Sequence, residues 1–169
     1  MSVIQPRHFL TILFSTCALL GASAAAQKVT EDEEPEKNAE AAVVLPTPPQ
    51  AENLVEFYRS DSQSFAIDLN SLSIPGDGSV RYSLIATSQA GAKNISYEAI
   101  RCASFDNKIL AVGRADKSWV TPKKSTWLSI SSRSYNKQHS VLATEFFCTG
   151  LTIAGKVNQI AGKLKLAKP

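Results

Sequence analysis

Histidine and cysteine are scarce, with two histidines and three cysteines in 169 residues. That scarcity argues against the clustered ligand sets of structural zinc sites, and no metal or other cofactor is expected. The sequence contains no CxxC, no His-Glu-x-x-His, no glycine-rich phosphate loop and no Gly-x-Ser-x-Gly elbow, which removes the commonest readable catalytic chemistries. A large excess of basic charge is missing as well. The net charge of +3 makes no whole-molecule field of the kind that nucleic-acid binding proteins carry, so no nucleic-acid partner is expected. Long hydrophobic runs are also lacking. The run over residues 9–20 is too short for a permanent bilayer span, which needs about 20 apolar residues.

What is present begins with an N-terminal pattern of three parts. Arg7 precedes the apolar run, and Gly21 breaks it ahead of a string of small residues, the build of a cleavable export signal. Ala24-Ala25-Ala26 fits the small-x-small rule, so residues 1–26 are expected to be removed after Ala26, with Ala22-Ser23-Ala24 as the competing site. Cys17 follows Phe14-Ser15-Thr16, a poor match to the sequence that precedes a lipidated cysteine, and no lipid anchor is expected. The expected address is the periplasm of a bacterial cell envelope.

Removal of that segment leaves Cys102 and Cys148 in a compartment that permits disulfides. Pairing is expected. The loop it closes, ~47 residues, corresponds to about 4 kcal/mol in the chain-entropy model. The alternatives are two free buried thiols, or a metal pair that the wide spacing disfavours.

Residues 27–53 are rich in Glu, Ala and Pro and hold no aromatic side chain. Such a composition buries too little apolar surface to offset its ordering entropy, and it reads as a flexible acidic tether. The folded domain is expected over residues 54–149. Short apolar runs separated by Ser60-Asp61-Ser62, by Pro75-Gly76-Asp77-Gly78 and by a turn around Gly91 read as strands. Val80, Tyr82, Leu84 and Ala86 alternate with more polar neighbours, and Ile95, Tyr97 and Ala99 repeat the pattern. Phe105 to Lys108 reads as the next turn. Connections this short force antiparallel pairing. The period then changes: Tyr135, His139, Leu142 and Phe146 share one helical face, with Ser134 as N-cap. The expected fold class is α+β, an antiparallel β meander of about five to six strands with a C-terminal helix packed on one face and a disulfide stapling the two. Residues 150–169 carry Lys156, Lys163, Lys165 and Lys168 and no acid. They read as a basic tail, a marginal helix or a docked segment.

The residues Asp77-Gly78-Ser79-Val80-Arg81-Tyr82, the block from Gly91 to Cys102 that ends Glu98-Ala99-Ile100-Arg101-Cys102, then Gly113, Trp119, Trp127 and Phe146-Phe147-Cys148 resemble the cryptic neisserial protein-like family of short exported proteins from Gram-negative bacteria. A Tyr is the expected residue where Phe146 stands. The resemblance implies an uncharacterised envelope protein with a disulfide and one domain over residues 54–148. It implies no activity and no catalytic residue.

Asn94, Ser96 and Glu98 lie on one face of their strand, a possible ligand face, with Arg81 on the neighbouring strand expected to pair with Glu98. Otherwise that face is simply solvated. Trp119 and Trp127 bracket Lys123-Lys124, a possible aromatic and basic contact for sugars or anionic polymer; the plainer reading makes the tryptophans pins for loop ends. Tyr82 and Tyr97 read as core packing, and His139 as a helix-face residue. The function expected is a non-catalytic binding or accessory module whose partner is an envelope protein or surface component. Weak contact of the tail lysines with an anionic membrane is the first alternative, and hydrolysis through Asp68, Asp77 or Glu98 the second.

Overall fold

A computed structural model describes residues 40–131 and 136–168. Every described residue belongs to one compact unit. Its frame is one antiparallel sheet with strands in sequence order: β1 (Leu54–Arg59), β2 (Gln63–Ser73), β3 (Ser79–Ser88), β4 (Lys93–Arg101), β5 (Asp106–Gly113) and β6 (Trp119–Val120), with β7 (Leu128–Ser129) pairing the other end of β5. The meander expected from the short connections is present. The turn into β5 comes earlier than the sequence suggested, because Asp106 already pairs with Arg101. Phe105 closes that turn with a left-handed φ of 52°, and its carbonyl accepts the Ile130 amide at 2.9 Å.

Register decides what each face carries, because directly opposed residues share a face and alternate along the strand. Tyr82 opposes Glu98 and Leu84 opposes Ser96, on one side. Arg81 opposes Ala99 and Ser83 opposes Tyr97, on the other. The first face is covered by α1 (Lys137–Val141), by the π-helical turn that continues it over Leu142–Phe147, and by α2 (Val157–Lys165). Its core gathers Ile67, Val80, Tyr82, Ile100, Leu142, Phe147, Ile160 and Leu164, all fully buried. The π turn explains why Phe146 and Phe147 are both buried: one wider turn rotates the helix and admits a residue that α-spacing would point away. Ser134 and Tyr135, the expected cap and first face residue, lie outside the described residues.

Cys102 and Cys148 form the disulfide, with Cα atoms 5.6 Å apart. It joins the end of β4 to the residue after the π turn, where the short strands β8 (Cys148–Thr149) and β9 (Thr152–Ile153) pair.

Both ends of the described chain depart from the expected boundaries. Residues 40–53 are not a free tether: they form an arm against the second face of the sheet. Arg81, buried at 3% exposure, donates from Nη2 to the Ala41 carbonyl at 2.6 Å and from Nη1 to the Ala42 carbonyl at 2.9 Å. The same Nη2 meets Asp77 Oδ2 at 2.7 Å, and that oxygen accepts the Ala41 amide at 3.0 Å. Further along, Trp119 Nε1 donates to the Pro46 carbonyl at 2.8 Å. A composition that buries little apolar surface is ordered here by hydrogen bonds to its backbone, which composition does not report.

At the other end, residues 150–168 belong to the folded unit. Ile160 and Leu164 of α2 are fully buried, and removing such a side chain typically costs about 2 to 5 kcal/mol. Of the two glycines that weakened the helical reading, Gly162 lies inside α2 and Gly155 lies before it. Gly155 precedes the helix at φ 139°, and a Cβ there would sit 2.5 Å from Gln159 Oε1. That oxygen accepts the Lys156 amide at 2.8 Å and caps the helix.

Candidate functional site

The covered face of the sheet holds a polar cluster at the level of β3 and β4. Glu98 is 3% exposed, so its carboxyl group must find partners inside the protein. It finds three. Tyr82 across the strand pair donates its hydroxyl to Oε2 at 3.1 Å, Ser96 donates to Oε1 at 2.6 Å, and His139 on α1 brings Nε2 within 2.7 Å of Oε2. Burial, then the negative charge of Glu98 and its hydrogen bond, push the Tyr82 phenol well above its ordinary value of 10.0, so it remains a proton donor. His139 is therefore more than a helix-face residue: it is buried, and it tethers the covering helix to the sheet.

His139 also reaches the wall of a cleft of about 430 Å³. The floor is the β5 edge, where Asn107, Ile109 and Val112 oppose Ile100, Glu98 and Ser96. The far wall is the segment from Pro122 to Ser131, held over the edge by a hydrogen bond from the Ser125 hydroxyl to the Ile109 carbonyl. Ile109 is 41%, Val112 44% and Leu128 62% exposed, an apolar lining open to solvent, with Lys124 contributing positive charge at the same wall.

The residues singled out in the sequence are separated by the fold. Ser96 and Glu98 share the cluster, and Asn94, on the same face, is exposed near the strand's start. Arg81 does not pair with Glu98. Its register partner is Ala99, so its side chain leaves from the other face and meets Asp77. Tyr82 and Tyr97 do not pack together for the same reason: Tyr82 lies 5.1 Å from Phe147 between ring centres, and Tyr97 lies 6.2 Å from Trp119. Both tryptophans pack against the smaller core of Tyr97, Ala99, Leu110 and Ala111. Trp127 is covered by Arg101, whose guanidinium carbon sits 3.6 Å from the ring centre, and more loosely by Lys108 at 5.8 Å. Lys123 and Lys124 are exposed in the loop between the tryptophans, and neither is the cation that stacks.

The remaining carboxylates are engaged elsewhere. Burial opposes ionisation of Asp77, but hydrogen bonds from the Ser79 hydroxyl and amide, from Arg81 and from the Ala41 amide outweigh it and hold the group below its ordinary range. Burial raises Asp68 despite the Asn70 amide that it accepts.

The sequence reading missed the link among Tyr82, Glu98 and His139. A signal was available: Glu98 shares a strand face with Ile100, and a lone histidine stands among the apolar positions of a helix. An acid and an imidazole, each on a face that must be buried, are natural partners.

An antiparallel sheet stapled to a covering helix, with a polar cluster between them and an open apolar cleft at its edge, defines a small sheet-and-helix domain. The chain belongs to the CNP1-like family, whose family model matches residues 33–165. That span takes in both the docked arm and α2. No curated protein and no solved structure matches the chain.

Proposed function

We propose that the chain is an exported, non-catalytic binding module of the cell envelope, and that the cleft beside His139 takes an envelope amphiphile. The apolar part of the ligand lies along Ile109, Val112 and Leu128, and its anionic head meets Lys124. The observation that carries this reading is the cleft, because a mostly apolar hollow with a few convergent polar groups is the usual form of a small-molecule site. Export is supported by the signal-like pattern of residues 1–26 and by the disulfide, a bond that persists in oxidising compartments. Binding is favoured over catalysis because Asp68, Asp77 and Glu98 are each occupied by separate structural partners. The test uses anilinonaphthalene sulfonate, an anionic aromatic probe, with dodecanoate as competitor. Saturable fluorescence that dodecanoate displaces, and that Leu128→Asp weakens about tenfold, supports the site. Leu128 is largely exposed, so the substitution leaves the core alone. Equal binding by the variant, or failure of dodecanoate to compete, refutes it.

A second reading, contact with an anionic surface, is favoured by the four exposed tail lysines and by Leu166 at 81% exposure. Deleting the tail would remove Ile160 and Leu164 from the core, so the proper variant changes Lys156, Lys163, Lys165 and Lys168 to Gln together. Unchanged sedimentation of that variant with vesicles containing phosphatidylglycerol would exclude this reading.

A further inference from the structure

We infer a second binding site, for an acidic sugar, on the opposite face of the sheet at the β5–β6 hairpin. A hollow of about 410 Å³ lies there between the arm and the hairpin, within the range of small-molecule sites, roughly 300 to 1,000 Å³. Three of its lining side chains are cationic: Lys93 at the start of β4, and Arg114 and Lys117 in the hairpin turn. All three are exposed, and among the described residues none makes a side-chain ion pair or hydrogen bond. The nearby acid is Asp116, whose Oδ1 accepts the Ser118 hydroxyl at 2.6 Å and the Ser118 amide at 2.9 Å. Its carboxylate keeps its charge and interacts with Arg114, but Asp116 does not line the hollow, and one negative charge leaves an excess of positive charge beside it. Three like charges facing one hollow repel one another, and an anion seated among them relieves that repulsion.

The apolar part of the site is equally specific. Trp119 has its only polar side-chain atom committed to the Pro46 carbonyl, so what its side chain offers a ligand is ring surface. Gly113 keeps the floor low: a Cβ there would stand 3.0 Å from Ile95 and 3.5 Å from the Trp119 ring. Pro48 and Pro49 of the arm close the opposite side. Proline has a fixed φ and a stiff ring, so this wall is shaped before a ligand arrives. An aromatic ring and a proline wall suit the C–H faces of a sugar, while the planar fork of Arg114 suits the two oxygens of a carboxylate or phosphate. The ligand class that satisfies both halves is a saccharide bearing carboxylate or phosphate. The site is distinct from Lys123-Lys124 and owes nothing to the His139 cleft.

The experiment is titration of the full chain, read by tryptophan fluorescence and calorimetry, with four probes. Digalacturonate and glucose 6-phosphate present a sugar with either kind of charge, cellobiose a sugar without charge, and inorganic phosphate a charge without sugar. Binding of one acidic sugar about tenfold or more tighter than both cellobiose and phosphate, weakened by salt, supports the inference and names the charged group. The triple variant Lys93→Gln, Arg114→Gln, Lys117→Gln changes only exposed side chains and is checked for an unchanged melting temperature. Its affinity should fall at least about tenfold. No saturable binding of either acidic sugar, phosphate binding as tightly as the sugars, or a triple variant that binds like the parent would each overturn the site.

Discussion

Arg81→Met should release the N-terminal arm. The substitution keeps an unbranched apolar stem and removes the guanidinium, and with it the hydrogen bonds to the Ala41 and Ala42 carbonyls and the ion pair with Asp77. Breaking a buried pair by deleting one partner costs about 3 to 5 kcal/mol, because the remaining charge is left buried. The upper end applies if the arm stays in place over Asp77. Water reaches Asp77 if residues 40–45 lift away, and the loss then settles near 3 kcal/mol. The described anchors that do not involve Arg81 are the Ala41 amide bond to Asp77, the Trp119 bond to Pro46 and the partly exposed Lys108 pair with Glu40 at 2.8 Å, the last contributing about 1 kcal/mol. Urea unfolding followed by tryptophan fluorescence measures the total. Hydrogen exchange at the Ala41 amide, bonded to Asp77 at 3.0 Å, separates local release from global loss. The pH dependence has a definite sign. Asp77 titrates below its ordinary value of 3.8 in the folded protein, so its stabilisation is full above that value and disappears as pH falls through the folded value. Asp68 is shifted the other way, so the quantity to read is the difference between the parent and Asp77→Asn. That difference should shrink below about pH 4. An Arg81→Met protein with the parent's urea midpoint and the parent's Ala41 exchange rate would refute the clamp.

Two further outcomes follow from the core. Glu98→Ala strands the Tyr82 hydroxyl, the Ser96 hydroxyl and His139 Nε2 together, and should destabilise by about 3 kcal/mol or more, whereas Tyr82→Phe removes one donor and should cost about 1 kcal/mol. Thermal unfolding of the two variants, with equal shifts, would count against the cluster as a structural tie. Reduction of Cys102–Cys148 should lower stability by about 4 kcal/mol, read as a fall in the urea midpoint with reductant; an unchanged midpoint would mean that the staple contributes nothing.

How much of this was legible in the sequence differs by element. The alternation over Val80–Ala86 and around Tyr97 depends on a local period of two, and the strands lie where that period puts them. The grouping of Ser96 with Glu98 on one face holds for the same reason. Which residue opposes which is a property of two strands at once, and the expected Arg81–Glu98 pair failed on it: a register that places Tyr82 opposite Glu98 sends Arg81 to the other side of the sheet. The arm was misread because its anchors are backbone carbonyls and amides, which every sequence has and no composition reveals. His139 was placed on the correct helix, yet its partner lies 41 residues away and became a neighbour only when the helix crossed the sheet. The cleft and the cationic hollow are likewise made of segments distant in the chain.

The sequence by itself determined the strand order, the closing helix and the identity of the paired cysteines, because short connections, local periodicity and a small set of available thiols act within or between a few identifiable residues. Tertiary structure alone decided which side of the sheet each charged group occupies, that residues 40–53 and 150–168 join the fold, and where the two hollows open. Those outcomes depend on strand register and on desolvation, and both are set by groups far apart in sequence that meet only in the folded state.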